Sequence, residues 1–109
     1  MKAEALSISL LLEMAVSGDP DRVALVDGAN RLTAGELSDL ADGGAGVIAA
    51  SGAEHVAYVG SGGIIAPLLI FASARANRAY TPVNYRLSAD GVRELIERLP
   101  DPLVIVDDR

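Results

Sequence analysis

The sequence predicts an α/β fold, with an N-terminal helix and hairpin followed by a parallel βαβαβ unit. Three apolar runs, at residues 56–59, 79–83 and 103–106, are typical of buried strands, and helical segments separate them. Alternating strands and helices favour a parallel sheet with right-handed connections. The 109 residues fit a single domain, with a leading part of about residues 1–33 and an α/β unit of about residues 34–109.

The leading part is interpreted as an amphipathic helix and a hairpin. Apolar residues at helical spacing mark the buried face of the helix: Ile8, Leu11, Leu12 and Ala15. Gly18 and Pro20 end this helix. Two short strands, at residues 23–26 and 31–32, flank a turn at residues 27–30, which predicts the hairpin.

The second helix begins at a capping box formed by Thr33 and Glu36. Its predicted buried face consists of Leu37, Leu40, Ala41, Gly44, Val47 and Ile48. Three glycines, at positions 43, 44 and 46, each cost about 1 kcal/mol relative to alanine in a helix. The helix therefore either packs very closely against a neighbour or frays.

The third helix, predicted from Ile64 to Ala76, is apolar nearly all round. A helix without a polar face is buried on several sides, whereas a three-stranded sheet covers only one of them. We therefore expect a further protein surface against this helix. That surface belongs either to the remainder of a larger enzyme or to a second copy of the chain.

The fourth helix is capped by Ser88, with Asp90 in its first turn. Its apolar face repeats at i, i+3, i+4 and i+7, through Val92, Leu95, Ile96 and Leu99. Its other face carries two i,i+4 charge pairs, formed by Arg93, Glu94, Glu97 and Arg98. Pro100 and Pro102 end the helix before the last strand.

Composition narrows the classes of partner and site. The formal net charge of −6 argues against a nucleic-acid backbone, which needs a basic face. The lack of cysteine excludes disulfides, thiolate zinc sites and a cysteine nucleophile. The first residues lack the apolar run of a signal peptide, and the longest apolar run, residues 62–74, is too short to span a bilayer. These features predict a cytoplasmic protein without a nucleic-acid partner or a membrane span.

Arg86 is the first candidate binding residue. It follows the strand at residues 79–83, and open parallel sheets bind ligands beyond the carboxyl ends of their strands. A guanidinium group holds a phosphate through bidentate, charge-assisted hydrogen bonds. A structural arginine that ties the corner to a carboxylate or a carbonyl explains the same residue.

The segment Gly60, Ser61, Gly62 and Gly63 lies between a strand and a helix. Backbone N–H groups in such a position can cradle an anion. The segment has the spacing of neither glycine-rich phosphate motif, however, because no lysine and no third spaced glycine follow. A tight turn is therefore the favoured interpretation.

Simpler interpretations also apply to the other candidates. Asp107 and Asp108 close a strand, where paired acids can hold Mg²⁺, but solvated acids are favoured. His55, the only histidine, is interpreted as a surface or strand-edge residue rather than a catalytic one. Arg75 and Arg78 follow a helix, where cations offset the carboxyl-end dipole.

The corner from Pro82 to Leu87, which reads PVNYRL, resembles the adenylate-forming enzymes. This family includes AMP-forming acyl-CoA ligases, luciferases and peptide-synthetase adenylation domains, and the NYRLS form is more similar to the acyl-CoA ligase branch. Pro20 to Leu25 resembles the family's first strand. Residues 31–37, RLTAGEL, resemble its "LTYxEL" helix start, with Ala-Gly in place of the usual pair. The resemblance extends from about Leu10 to Asp108.

The resemblance implies that a complete enzyme uses ATP, Mg²⁺ and CoA to convert a carboxylic or fatty acid into acyl-AMP and then acyl-CoA. It also implies a phosphate loop with a lysine, a Thr-Glu motif and a second lysine on a C-terminal domain. None of these occurs in the sequence, in which Lys2 is the only lysine. We therefore predict an N-terminal fragment, about the first fifth of a ligase, that has no catalytic residue and no metal ligand. Arg86 matches an arginine near the CoA nucleotide.

Two other interpretations remain open. The chain could be a small α/β nucleotide-binding module that uses the loop at Gly60, in which case a nucleotide would bind at Ser61. It could also be a non-catalytic remnant that acts only by association. A stable oligomer that binds no ligand would favour the remnant. The acyl substrate is not defined by these residues.

Overall fold

A computed structural model describes residues 3–60, 62–84 and 86–106 of the chain. Within these residues the chain forms helices and strands in the predicted order. The elements are α1 (Ala3–Gly18), β1 (Val23–Asp27), β2 (Asn30–Thr33), α2 (Ala34–Ser51), β3 (His55–Gly60), α3 (Ile65–Arg75), β4 (Ala79–Asn84), α4 (Ala89–Glu97) and β5 (Pro102–Val106). The α/β fold class is confirmed.

The strands form two separate sheets. β1 and β2 pair antiparallel around a turn in which Gly28 has φ +60°, a conformation that glycine adopts without strain. β3 is the central strand of a parallel sheet with the order β4-β3-β5. Its residue Val56 lies opposite Tyr80 of β4 and Leu103 of β5. Both the hairpin and the parallel sheet agree with the sequence predictions.

α2 begins at the predicted capping box. Thr33 Oγ1 accepts a hydrogen bond from the Glu36 N–H at 3.1 Å, and Glu36 Oε1 accepts one from the Thr33 N–H at 2.9 Å. The helix is continuous to Ser51 despite its glycines, and Gly52 ends it at φ +73°. A Cβ on Gly44 would lie 2.9 Å from the Cβ of Ala72 on α3, so close packing is the alternative that the structure shows.

The buried stripe of α2 is narrower than predicted. It consists of Ala34, Leu37, Ala41 and Ile48, with Gly44 completing the helical spacing. Leu40 and Val47 were expected in this stripe, but they are 47% and 66% exposed. The helical spacing explains the difference, because Leu40 and Val47 lie to one side of the row that faces α3.

The buried face of α1 also differs from the prediction. Leu12 is buried, and Ile8 and Val16, four residues to either side, are half-buried. Leu11 is 64% exposed and Ala15 is exposed, so their assignment to the core was wrong. Among the residues whose burial is described, the contact of α1 is an i, i+4 row that packs mainly against α2 and α3.

The third helix is covered within the chain more fully than its sequence suggests. α3 packs against the sheet and also against α1 and α2. All of its large apolar side chains are buried or half-buried, including Leu68 and Phe71, which contact the cluster of Leu12, Leu37 and Ala41. A second cluster, formed by Ile48, Val56 and Ala72, lies between the helices and the sheet. The expectation that one sheet face is the only cover for α3 was therefore wrong.

α4 is a surface helix. The Ser88 hydroxyl accepts a hydrogen bond from the Gly91 N–H at 3.1 Å, which confirms the cap. None of the α4 residues is buried, and Leu95 of its apolar face is 38% exposed. On the polar face, Arg93 approaches Asp90 at 3.9 Å, an i,i+3 pair.

Among the described residues no helix is long and apolar enough to cross a bilayer.

Candidate functional site

The carboxyl ends of the three parallel strands form one edge of the sheet, which we call the carboxyl edge. Gly60 at the end of β3 lies opposite Asn84 at the end of β4, and Val59 lies opposite Val106 of β5. Ligands bind at this edge in open parallel sheets, because loops of different elements converge there. The predicted Arg86 corner and the glycine-rich loop both start from it.

Arg86 lies exposed in the turn between β4 and α4, two residues beyond the end of β4. This is the position that the sequence predicts. An exposed guanidinium at the carboxyl edge is accessible to an anionic group that arrives from solvent. Its role as a phosphate contact or as a structural corner residue stays a prediction.

The glycine-rich loop is a tight turn held by a tyrosine. Gly62 and Gly63 have φ values of +101° and +81°, which residues other than glycine rarely adopt. The Tyr58 hydroxyl donates to the Gly62 carbonyl at 3.2 Å and accepts from the Gly62 N–H at 3.3 Å. Because Tyr58 satisfies this N–H, the turn interpretation is favoured over an anion cradle. The part of the prediction that concerns Ser61 lies outside the described residues.

His55 lies at one end of the parallel sheet. It is the first residue of the central strand β3, where it is half-buried, and its Nε2 forms a 2.6 Å hydrogen bond with Thr81 Oγ1 of β4. The interpretation of a surface or strand-edge histidine agrees with its place at the amino end of the strand, although the strand itself is the central one of its sheet. The residue lies about 16 Å along the strand from Gly60, at the end of the sheet opposite the carboxyl edge.

Arg75 and Arg78 form tertiary contacts that sequence reasoning missed. Arg75 Nη1 donates to the Ser38 carbonyl and to Asp42 Oδ1, both at 2.7 Å, and so ties α3 to α2. Arg78 Nε donates to the Ala53 carbonyl at 2.7 Å. The sequence interpretation, that both cations offset the dipole at the carboxyl end of a helix, does not account for these contacts. No local sequence signal could find them, since the partners lie 25 to 37 residues away.

The model of the AMP-binding enzyme family matches residues 12–109. The chain belongs to the AMP-binding enzyme family. It is also similar to a solved structure, the fatty acid AMP ligase from Legionella pneumophila, with a TM-score of 0.78 at 14% sequence identity. At this identity the likeness concerns the fold alone. The match covers 99% of this chain and 21% of that ligase, so the chain spans about a fifth of the ligase's length. No curated protein matches the chain significantly.

The chain also contains a groove that the sequence does not predict. A cavity of about 480 Å³ lies between the end of α1 and the start of β1. Its walls are mostly apolar, with Met14 and Val23 on them and Asp19 and Arg22 at the polar part. The groove depends on how α1 meets the hairpin, which is a tertiary feature without a local pattern.

The described part of the chain contains no cluster of metal ligands, and one titratable group has a pKa that is clearly raised. Within those residues no group of three His, Cys, Asp or Glu side chains could hold a metal ion. Asp107 and Asp108 lie outside them. Burial raises the pKa of Tyr80 above its ordinary value, and the neighbouring Tyr58 acts in the same direction. A raised tyrosine pKa keeps the phenol neutral, as expected of a core residue.

Proposed function

We propose that the chain is the N-terminal segment of an AMP-forming acyl-CoA ligase that acts on a carboxylic acid, with a fatty acid as the substrate class. The observation that carries the proposal is the family match over residues 12–109. The name of the structural neighbour, a fatty acid AMP ligase, favours the fatty acid class. The NYRLS corner favours CoA as the acyl acceptor, because it resembles the acyl-CoA ligase branch, in which the matching arginine lies near the CoA nucleotide.

Arg86 is the residue of this chain that we assign to CoA binding. It is exposed at the carboxyl edge, and its planar guanidinium fits a phosphate of the CoA nucleotide through two parallel hydrogen bonds. The described residues do not fit ATP and Mg²⁺ in the same way. They contain no lysine and no cluster of metal ligands, so the adenylation chemistry belongs to parts of the enzyme beyond this segment.

The segment's partner in this proposal is the remainder of the ligase. Self-association through the helix from Ile64 to Ala76 is the second possible contact and stays a prediction. A cytoplasmic location is also part of the proposal.

The 109-residue chain alone is expected to lack ligase activity, because it has neither the phosphate loop nor the lysines of the family. The chain is mixed with ATP, Mg²⁺, CoA and a panel of fatty acids, and pyrophosphate and thioester are measured. Activity above that of a heat-denatured sample would contradict the proposal.

The longer protein that carries this sequence provides the positive test. It is expected to release AMP and form a CoA thioester only when a carboxylic acid is present. Release of acyl-AMP without thioester would retain the adenylating activity and reject CoA as the acceptor.

Arg86→Lys in that longer protein tests the CoA contact. Lysine keeps the charge but loses the bidentate geometry, so the KM for CoA should rise by more than the KM for ATP. Arg93→Lys, on the exposed face of α4, is the matched control and should change neither value. Unchanged CoA kinetics in a folded Arg86→Ala variant would leave Arg86 as a structural corner residue.

A further inference from the structure

Tyr58 places a single hydroxyl group against both backbone polar groups of Gly62. Its side chain is almost fully buried, with 2% exposure, and its hydroxyl both donates to the Gly62 carbonyl and accepts from the Gly62 N–H. A tyrosine hydroxyl has one proton and two lone pairs, so it can form both bonds at once.

The loop that Tyr58 holds has an unusual backbone. Gly62 and Gly63 both have positive φ values, and a Cβ on Gly62 would meet no atom within 4 Å. Backbone conformation, rather than lack of space, therefore requires glycine at position 62. Two glycines in a row leave a loop with many accessible conformations, and the hydroxyl selects one of them.

The selected conformation lies at the carboxyl edge. Tyr58 lies opposite Pro82 of β4, and Gly60 lies opposite Asn84, so the loop after β3 and the corner after β4 start from neighbouring strand ends. The corner carries Arg86 two residues later. A shift of the Gly62 loop would therefore change the surface next to Arg86.

We propose that Tyr58 is a positioning residue, whose buried hydroxyl fixes the Gly62 loop so that the ligand surface beside Arg86 keeps its shape. This inference rests on the proposed function of the carboxyl edge. Tyr58 itself touches no ligand, because its ring lies in the core. Its effect on the reaction passes through the loop.

We call the two hydrogen bonds between the Tyr58 hydroxyl and Gly62 the latch. Tyr58→Phe in the 109-residue chain tests the latch directly, because it removes the hydroxyl and keeps the ring. Amide hydrogen exchange at Gly62 should become about three- to tenfold faster, the range expected for the loss of ordinary hydrogen bonds. Gly52 and Gly91, whose amides bond to other partners, should exchange as before. Tyr80→Phe is the matched control, since it removes a half-buried phenol from the neighbouring strand. Unchanged exchange at Gly62 in Tyr58→Phe would overturn the proposal.

The longer ligase tests the positioning role. Tyr58→Phe should raise the KM for CoA by about three- to tenfold with the KM for ATP unchanged, whereas general destabilisation would lower all activities together. Faster Gly62 exchange without a change in the CoA KM would reject the positioning role. If the wild-type protein forms no thioester, the proposed function fails, and the exchange experiment still decides whether the latch exists.

Discussion

The side of the parallel sheet that packs against α2 and α3 and the side that carries α4 differ in how completely they are packed. On the α2–α3 side, formed by those two helices and the sheet, Ile48, Val56 and Ala72 are at most 2% exposed. On the α4–β5 side, α4 buries no residue, and Val104 and Val106 of β5 are 37% and 65% exposed. The contact of α2 and α3 with the sheet is therefore closely packed, although Leu40 and Val47 on the outer part of α2 are 47% and 66% exposed. The α4–β5 side has the open apolar surface expected where more protein packs.

The two sides also differ in the residues that they carry. Contacts that stabilise the fold lie on the α2–α3 side, and the candidate ligand-binding residue lies beside the α4–β5 side. Arg75 and the Gly44–Ala72 contact fix the α2–α3 side, far from any ligand edge. Arg86 stands next to the open side, in the turn that leads into α4. A segment of a larger enzyme needs both properties, because it must fold and must still present a surface to the remaining chain.

Ile48→Ala should destabilise the chain most. Truncation of a fully buried isoleucine leaves a cavity, so the free energy of unfolding should fall by about 2–5 kcal/mol. Leu95→Ala, on the 38% exposed face of α4, should lower it by less than about 1 kcal/mol. Urea unfolding followed by circular dichroism measures both values. Equal losses would show that the two sides are packed alike.

Arg75→Met should lower the free energy of unfolding by about 1–3 kcal/mol, since the buried hydrogen bond to the Ser38 carbonyl is lost. Methionine retains most of the apolar stem, which isolates the guanidinium. Arg93→Met is the control on the open side. Its ion pair is exposed and 3.9 Å long, so the change should stay below about 0.5 kcal/mol. A larger loss in Arg93→Met than in Arg75→Met would reverse the comparison.

Gly44→Ala and Gly43→Ala should change stability in opposite directions. At position 44 the new Cβ would meet Ala72 at 2.9 Å, and the cost of overpacking, about 1–3 kcal/mol, should exceed the gain in helix propensity. At position 43 nothing lies within 4 Å, so alanine should stabilise the chain by about 0.5–1 kcal/mol. Thermal unfolding of both variants measures the sign. Stabilisation by both would mean that α2 and α3 do not touch at Gly44.

Tyr80→Phe should have the smallest effect, visible only at alkaline pH. The pKa of Tyr80 is raised in the folded chain above 10.0, so the folded state holds its proton longer than the unfolded state does. The contribution of Tyr80 to the free energy of unfolding is therefore constant below about pH 10 and is lost as the pH rises through the folded-state pKa. The phenylalanine variant should lose less stability than the wild type between about pH 9 and pH 11. Identical pH profiles would show that Tyr80 is not desolvated.

Local patterns predicted the order and type of all the elements. The capping residues Thr33 and Ser88, the turn at Gly28 and the three apolar strand runs depend on neighbours within a few residues, and such signals are present in the sequence. The exposure of Leu40 and Leu11 could not be predicted in the same way. Both match the helical period, and only the direction from which α3 approaches decides which apolar residues are covered.

The candidate site was predicted less completely than the fold. The position of Arg86 follows from the end of a strand, which the sequence defines. The tie from Arg75 to α2, the latch from Tyr58 to Gly62 and the pairing of His55 with Thr81 depend on side chains brought together by the fold. Of these, the latch lies within four residues, but nothing in the pattern YVGSG indicates that the ring turns back onto the loop.

The intact mass of the native protein that carries this sequence tests most directly whether the chain is a segment of a ligase. We predict a mass about five times that of the 109-residue chain, as expected if the chain is a segment comparable to 21% of a ligase. Mass spectrometry of the protein captured with an antibody against α2 gives the value. A native species of 109 residues that sediments as a compact monomer and binds no hydrophobic dye would contradict this prediction, because the α4–β5 side would then need no further cover.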